Sequence, residues 1–322
     1  MPPPKEGSIL DDLSDGPIPP RDPSTGLFPP LNLPVHHYSI DGRPYVLMTP
    51  ERLVKNKDLF TPRPDDVMVA TYPRNGTTLT LSLCMHIHLA QNPDLLIRIP
   101  DHPFKTGLDK KIDQSQTPWV HNKFVYGKER IENMPGPRVF KTHNCYMHLN
   151  VAPGTLKFIH VYRNPKDVVC SQFHHMAPAA SYLAKMCEFE GSFSDCCDYF
   201  LDRGLGNGCY WEFNREFLEN KDGHTMLHLN YEELTLNKRE GIRKINNFLG
   251  YPEMSEEQVD QVVKGTTLVN LKENQVGKPG RGRDMLTVEQ RRRFDEKCRK
   301  ELKGFQGIPE SYFSESAYMG QK

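Results

Sequence analysis

The 322-residue chain has no surplus of charge: 41 Lys plus Arg balance 41 Asp plus Glu. That balance argues against a protein that holds nucleic acid through a global basic field, although local basic clusters stay open. No apolar run approaches the ~18 residues that span a membrane. The opening MPPPKEGSILDDLSDG lacks both the basic start and the apolar stretch of a secretion signal. Together these absences predict a cytoplasmic protein that engages neither nucleic acid nor membrane. The eight cysteines include no CxxC pair and no metal-like grouping with histidine. The spacing therefore predicts no structural zinc and no disulfide framework. Cys84 in LTLSLCMHI and Cys170 in DVVCSQF read instead as buried thiols acting as small hydrophobes.

What is present organises into one arm and one domain. Residues 1–34 hold PPP, PIPP, RDPSTG and FPP, a Pro-rich segment that cannot offset its own ordering entropy and reads as a flexible arm. Residues 35–322 read as a single folded domain. HHYSIDGRPYVLM resembles two short strands joined at Asp41-Gly42. Four further β-rich runs follow, VMVATY (67–72), PRVFKT (137–142), LKFIHVY (156–162) and TMLHLNY (225–231), with helical patterns between or after them. Strands alternating with helices predict an α/β fold with a central, mostly parallel sheet flanked by helices. Asn164 can cap a helix with Pro165 at its first position. Ser255 and Gln258 form a capping-box pattern, and Gly250 and Gly265 are placed to stop their helices. Phe294, Cys298 and Leu302 recur every four residues, an amphipathic helix near the C-terminus.

VMVA-TYPRNGTT-LTLSLCMHI is the most informative stretch. A buried strand enters a tight turn containing Pro73 and Gly76, and a helix starts at Thr77 and Thr78. Backbone N–H groups at such a turn, with the helix dipole behind them, suit a phosphate-like group. Arg74 adds a permanent charge, and Thr77 and Thr78 add hydroxyls. The bland alternative is an ordinary strand-to-helix turn with a surface arginine. A Walker A loop is not present: it needs Gly where Thr71 stands and Lys where Thr77 stands. The P-loop-like turn thus fits a nucleotide without the metal-centred machinery of an NTPase, although an ATP-dependent kinase or hydrolase is the runner-up.

TYPRNGTT resembles the TYPKSGTT phosphosulfate loop of the cytosolic sulfotransferases. HVYRNPKDVVCSQFHH resembles that family's ARNPKDVAVSYYHF, and PRVFKTHN its strand ending in Lys-Thr-His. LHLNYEELTLNKREG…NNFLG and KPGRGRDMLT resemble further family segments, in the family's order, over residues 60–305. The resemblance implies transfer of a sulfuryl group from 3′-phosphoadenosine 5′-phosphosulfate (PAPS) to a hydroxyl or amine of a small, lipophilic acceptor, with no metal required. Carried over residue by residue, His143 is the general base, and Lys141 and Arg74 stabilise the transferring group. Arg74, Asn75, Gly76, Thr77, Thr78 and Leu79 form the loop. Arg163 and Ser171 meet the 3′-phosphate, and Tyr231, Thr266, Thr267 and Leu268 lie near the base. Lys278, Gly280 and Arg281 belong to the C-terminal phosphate loop, in a register left open between Lys278 and Arg281 or Arg283. Phe104, Phe173 and His175 are expected to line the acceptor pocket.

The chain departs from the pattern at Leu79 and Leu268, where the family carries aromatic residues beside the adenine. These two losses keep a non-catalytic nucleotide binder open as an alternative, beside a dehydratase of the same superfamily. The family's dimerisation stretch appears as Arg283, Thr287, Val288 and Arg292, with a basic residue where its closing acid belongs. Two such segments crossing would repel, so the expectation is a monomer or a dimer through an atypical interface.

Overall fold

The computed structural model describes residues 38–40, 43–45, 61–106, 128–146, 151–176, 191–202, 208–267 and 279–320. The Pro-rich arm and the Asp41-Gly42 turn lie outside them. The strands flanking that turn, β1 (Tyr38–Ile40) and β2 (Arg43–Tyr45), pair antiparallel with Ile40 opposite Arg43.

The central sheet is four-stranded, in the order β4-β3-β5-β6, and every pairing is parallel. Its members are β3 (Val67–Thr71), β4 (Val139–Thr142), β5 (Lys157–Tyr162) and β6 (Thr225–Asn230). Each lies inside a run predicted from sequence. Alternation along the strands divides the core. Met68 and Ala70, with Phe140 and Phe158, face one cluster that includes Phe200, Trp211, Phe213 and Phe294. Val67 and Val69, with Val139, Ile159 and Val161, face another that includes Leu83, Ile87, Ile245 and Val259. Both sheet faces are covered, as the near-continuous apolar strands require.

The helices supplying these layers form where capping and apolar spacing direct. They are α1 (Thr77–Gln91), α2 (Pro165–Met176), α3 (Phe193–Asp202), α4 (Tyr210–Glu219), α5 (Tyr231–Leu236), α6 (Lys238–Leu249) and α7 (Glu256–Gly265). After a short turn, α8 (Gly282–Met285), come α9 (Val288–Leu302) and α10 (Glu315–Gly320). The capping box at Ser255 and Gln258 is complete in both directions, and a second one, Thr287 with Gln290, opens α9. Gly250 ends α6, whereas α7 includes Gly265 and is capped by Thr266, whose hydroxyl donates to the Val262 carbonyl. Cys84, Cys145, Cys170, Cys196, Cys197 and Cys298 are buried. Burial pushes the Cys84 thiol up to about 12. On α9, Arg292 is held by Glu289 and Glu296 of its own helix. Its charge is therefore compensated locally, which weakens the repulsion inferred from sequence.

One buried ion pair aligns the strand starts. Asp66 precedes β3 and Arg138 precedes β4, and both are fully buried. Arg138 donates to the Asp66 carboxylate through Nε at 2.7 Å and Nη2 at 2.5 Å, and to the Ile131 carbonyl at 3.0 Å. Removing the guanidinium would leave a buried carboxylate uncompensated. Arg138→Ala is expected to lower stability by about 3–5 kcal/mol, read as a fall in the urea unfolding midpoint.

Candidate active site

The site is built at the carboxyl ends of three adjacent parallel strands. From Thr71 at the end of β3 the chain turns through Pro73, Arg74, Asn75 and Gly76 into α1. The turn is pinned beneath by Asn75, whose Nδ2 donates to the Val161 carbonyl of β5 at 3.2 Å. It contains two left-handed residues, Arg74 at φ 72° and Gly76 at φ 100°. For arginine that conformation costs on the order of 1 kcal/mol, strain of the kind held at functional turns. Gly76 is required twice over: its φ suits glycine, and a Cβ there would overlap the Tyr231 ring. No side chain caps α1. Its first-turn N–H groups, at Thr77, Thr78 and Leu79, lack intrahelical acceptors by construction and add the positive end of the helix dipole.

Lys141 and His143 come from the neighbouring strand. Register sets Val69 beside Lys141 and Ala70 beside Thr142, so His143, one residue past β4, meets Thr71. The His143 Nδ1 lies 2.6 Å from the Thr71 carbonyl oxygen and 3.3 Å from its hydroxyl. The carbonyl can only accept, so Nδ1 carries the proton and Nε2 keeps the basic lone pair. The Thr71 hydroxyl also bonds the Thr77 hydroxyl at 2.7 Å, tying this strand end to the start of α1. Burial is the main cause that lowers His143 to about 3; the Lys141 and Arg74 charges add to it, and the Thr71 carbonyl opposes them. The imidazole is therefore neutral at physiological pH. Lys141 is itself 3% exposed.

The other wall starts where β5 ends. Arg163 is 2% exposed and its Nη1 donates to the Arg74 carbonyl at 3.0 Å. Its guanidinium carbon sits 4.5 Å from the centroid of the Tyr231 ring. Asn164 accepts from the Lys166 N–H at 3.1 Å, and α2 begins at Pro165. Ser171, fully buried on α2, accepts from Arg74 Nε at 3.0 Å. Residues 72–78 and 163–171 are thus joined side by side. Asp167 accepts from the Gly280 N–H at 2.6 Å and the Gly282 N–H at 3.0 Å, bringing the 280–282 turn against α2. Between those glycines, Arg281 carries a buried Nη1 with no hydrogen-bond partner. After partial burial, the Arg281 charge lowers His174 and the Arg74 charge lowers His175.

The remaining predicted residues divide. Tyr231 packs between Arg163 and Gly76. Leu79 is 3% exposed and shares the second core cluster with Tyr231. Thr266 is buried at the end of α7, its carbonyl accepting from Lys238 Nζ at 2.7 Å, and Thr267 follows half-buried. Phe173 packs on Phe193, ring centroids 5.2 Å apart. Phe104 is not brought to them: it lies stacked on His88, near the far end of α1, and against His102. Its 1% exposure marks a core residue. Leu268 and Lys278 lie outside the described residues. Two carboxylates that no sequence motif singled out also build the site. Asp167, in the first turn of α2, also organises the 280–282 turn through the Gly280 and Gly282 N–H groups. Glu232, at the start of α5, is buried and accepts from the Asn164 N–H at 3.0 Å and the Tyr312 hydroxyl at 3.1 Å. Among the described residues no cluster of three or more His, Cys, Asp or Glu could hold a metal.

Residues 64–306 match the sulfotransferase domain family model. The chain belongs to the sulfotransferase family. Rabbit (Oryctolagus cuniculus) amine sulfotransferase is 30% identical over 288 residues, covering 79% of this chain and 86% of that protein. Rat (Rattus norvegicus) sulfotransferase 1A1 is 31% identical over 220 residues, covering 67% and 69%. A mouse sulfotransferase, SULT7A1, solved in complex with PAP, shares the fold with a TM-score of 0.62 at 22% identity, over 83% of this chain and 95% of that one. Family membership makes the chain a sulfotransferase of α/β fold and leaves no ground for an ATP-dependent kinase. The turn at 72–78 supplies the strongest local constraint. Gly76→Ala is expected to destabilise by about 1–3 kcal/mol through strain and overlap with Tyr231, read by thermal denaturation.

Proposed function

We propose that this sulfotransferase moves the sulfuryl group of PAPS to a hydroxyl or amine of a small lipophilic acceptor, with His143 as general base. The acceptor oxygen attacks sulfur while the sulfur–oxygen bond to the 5′-phosphate breaks in line. The acceptor proton passes to His143 Nε2, and the electron pair leaves on the phosphate. One observation carries this reading: the Nδ1–H bond to the Thr71 carbonyl, which leaves Nε2 as the basic atom beside the phosphosulfate-type turn. Lys141 and Arg74 supply positive charge where negative charge develops on the transferring group. The turn from Arg74 to Leu79 holds the 5′-phosphosulfate through N–H groups and the helix dipole.

Arg163, Ser171 and Arg281 fit the 3′-phosphate. The buried, unpartnered Nη1 of Arg281 supports that fit, since such a donor, in a turn held against the start of α2, is best satisfied by a dianion. Tyr231 and Leu79 fit the base, with aliphatic contact at Leu79 replacing a stacked ring. Phe173 and His175 fit the acceptor side, and the enzyme is cytoplasmic, with residues 35–322 as its catalytic domain.

A base held near 3 in the free protein accepts a proton poorly. The donor corrects this: its negative charges offset Lys141 and Arg74, two of the causes that lower His143. Donor binding therefore raises the His143 pKa and readies the base. The expected pH signature follows from that sign. The kcat/KM profile for donor shows no acid limb from His143 between about pH 5 and 8. The kcat profile at saturating donor has its acid limb displaced upward relative to it. Coincident limbs would contradict the coupling.

His143→Ala is expected to cut transfer about 10²–10⁴-fold while leaving calorimetric binding of adenosine 3′,5′-bisphosphate within about twofold. Arg163→Ala should weaken that bisphosphate far more than AMP, because the lost contact is to the 3′-phosphate. Tight ATP binding without a preference for the bisphosphate would overturn the assignment.

A further inference from the structure

The family-model match ends at residue 306, yet the chain beyond it is packed into the nucleotide-binding half of the site. The Gly307 carbonyl accepts from the Tyr162 hydroxyl at 2.7 Å. The Ser311 carbonyl accepts from Asn164 Nδ2 at 3.2 Å and Lys166 Nζ at 2.9 Å. From α10, the Tyr318 hydroxyl donates to Asp167 Oδ1 at 2.8 Å. That oxygen is the one that accepts from the Gly282 N–H. Tyr318 is fully buried and Asp167 is 1% exposed.

Around this contact the remaining groups fix Tyr318 rather than compete with it. Lys166 Nζ lies 4.6 Å from the ring centroid and is itself paired with buried Asp295. Arg283 donates from Nε to the Tyr318 carbonyl at 3.1 Å, with its guanidinium carbon 5.5 Å from the same ring. Glu315 of α10 is bridged to Arg291 of α9 at 2.9 Å. Gly282 passes so close under the Tyr318 hydroxyl that any Cβ would overlap it. A ring, a carboxylate and a glycine turn are thus fitted together with no room for a different side chain at 282.

We propose that Tyr318, from the C-terminal segment outside the family model, is a positioning residue for the donor's 3′-phosphate. The inference rests on the PAPS reading of the site. Tyr318 completes the set of donors on Asp167. Saturated in this way, the carboxylate holds the Gly280 and Gly282 N–H groups and so aims the intervening Arg281 into the pocket. Without the hydroxyl, Asp167 keeps a buried, unsatisfied lone pair close to where a dianion binds, and that pair both repels the dianion and loosens the turn. The effect is specific to the 3′-phosphate, because the 5′ end is held by a different turn, residues 74–79.

Tyr318→Phe removes only the hydroxyl. It is expected to weaken adenosine 3′,5′-bisphosphate by about tenfold, the usual effect of losing a hydrogen bond to a charged group, with AMP changed less than about twofold. KM for PAPS rises in step while kcat at saturating donor is retained. An unchanged ratio of the two nucleotide affinities, or an equal loss for both, overturns the proposal. The wild-type protein separates the two levels of failure: if it does not prefer the bisphosphate to AMP, the nucleotide reading fails, whereas a preference that survives in Tyr318→Phe sinks the clamp alone. Hydrogen exchange on the wild type gives a second test that needs no variant. The bisphosphate should protect both 279–286 and 315–320, and AMP neither; protection of 279–286 without 315–320 overturns the clamp.

Discussion

The hydrogen bond from His143 Nδ1 to the Thr71 carbonyl joins two strand ends, and the proposed proton transfer depends on it. It exists because β3 and β4 run parallel in a register that stops both at the same level. A one-residue slip of β4 would move Lys141 to the opposite face of the sheet and carry His143 out of reach of Thr71. The bond fixes which ring nitrogen is basic, and it faces the turn that begins one residue later. Sheet register, tautomer and donor placement are therefore one constraint seen at three scales.

Buried histidine alone does not mark a base, and His160 shows the contrast. It lies at the centre of β5, fully buried. Its Nε2 is 3.2 Å from Asn214 Oδ1 and its Nδ1 is 3.1 Å from His228 Nδ1. Burial, with the His228 charge adding to it and the Asn214 bond opposing, pushes its pKa well down, and both ring nitrogens are engaged within the core, away from any substrate. His143 has a comparable shift but stands at a strand end beside two cations. Placement, and not the size of the shift, separates the structural ring from the one suited to chemistry.

Much of this architecture was legible because its signals are local. The β-rich runs, the cap at Asn164, the Pro165 start and the Ser255–Gln258 box each depend on residues within a few positions of one another. The 72–78 and 163–171 stretches were legible as sites through motif resemblance, and they converge here through the Arg163 to Arg74 and Arg74 to Ser171 bonds. What escaped depends on partners far along the chain. Asp167 acts through Gly280, Gly282 and Tyr318, more than 110 residues away. Glu232 acts through Tyr312, 80 residues on. Phe104 reads as a pocket aromatic from its motif neighbours, but it packs with His88 and His102 in the core. Composition around an aromatic residue does not say which end of a 15-residue helix it will meet.

The two halves of the site also differ in how they are stabilised, and the difference bears on function. The 5′ half is a strained turn, with Arg74 held left-handed by Asn75 below it and Arg163 beside it. Its strain is balanced by the sheet and needs no ligand. The 3′ half is assembled from separate pieces: the start of α2, the 280–282 turn and α10. Asp167 of α2 bonds to the other two, and Arg283 and Lys166 add contacts to Tyr318. A carboxylate with several donors around it tolerates a nearby dianion, because its charge is already spread over those hydrogen bonds. On the proposed reading, the 3′-phosphate meets the composite half, and the 5′-phosphosulfate, where the sulfur–oxygen bond breaks, meets the strained turn. Such a division lets the remote 3′-phosphate orient the nucleotide from the α2 side while the 74–79 turn aligns sulfur for displacement.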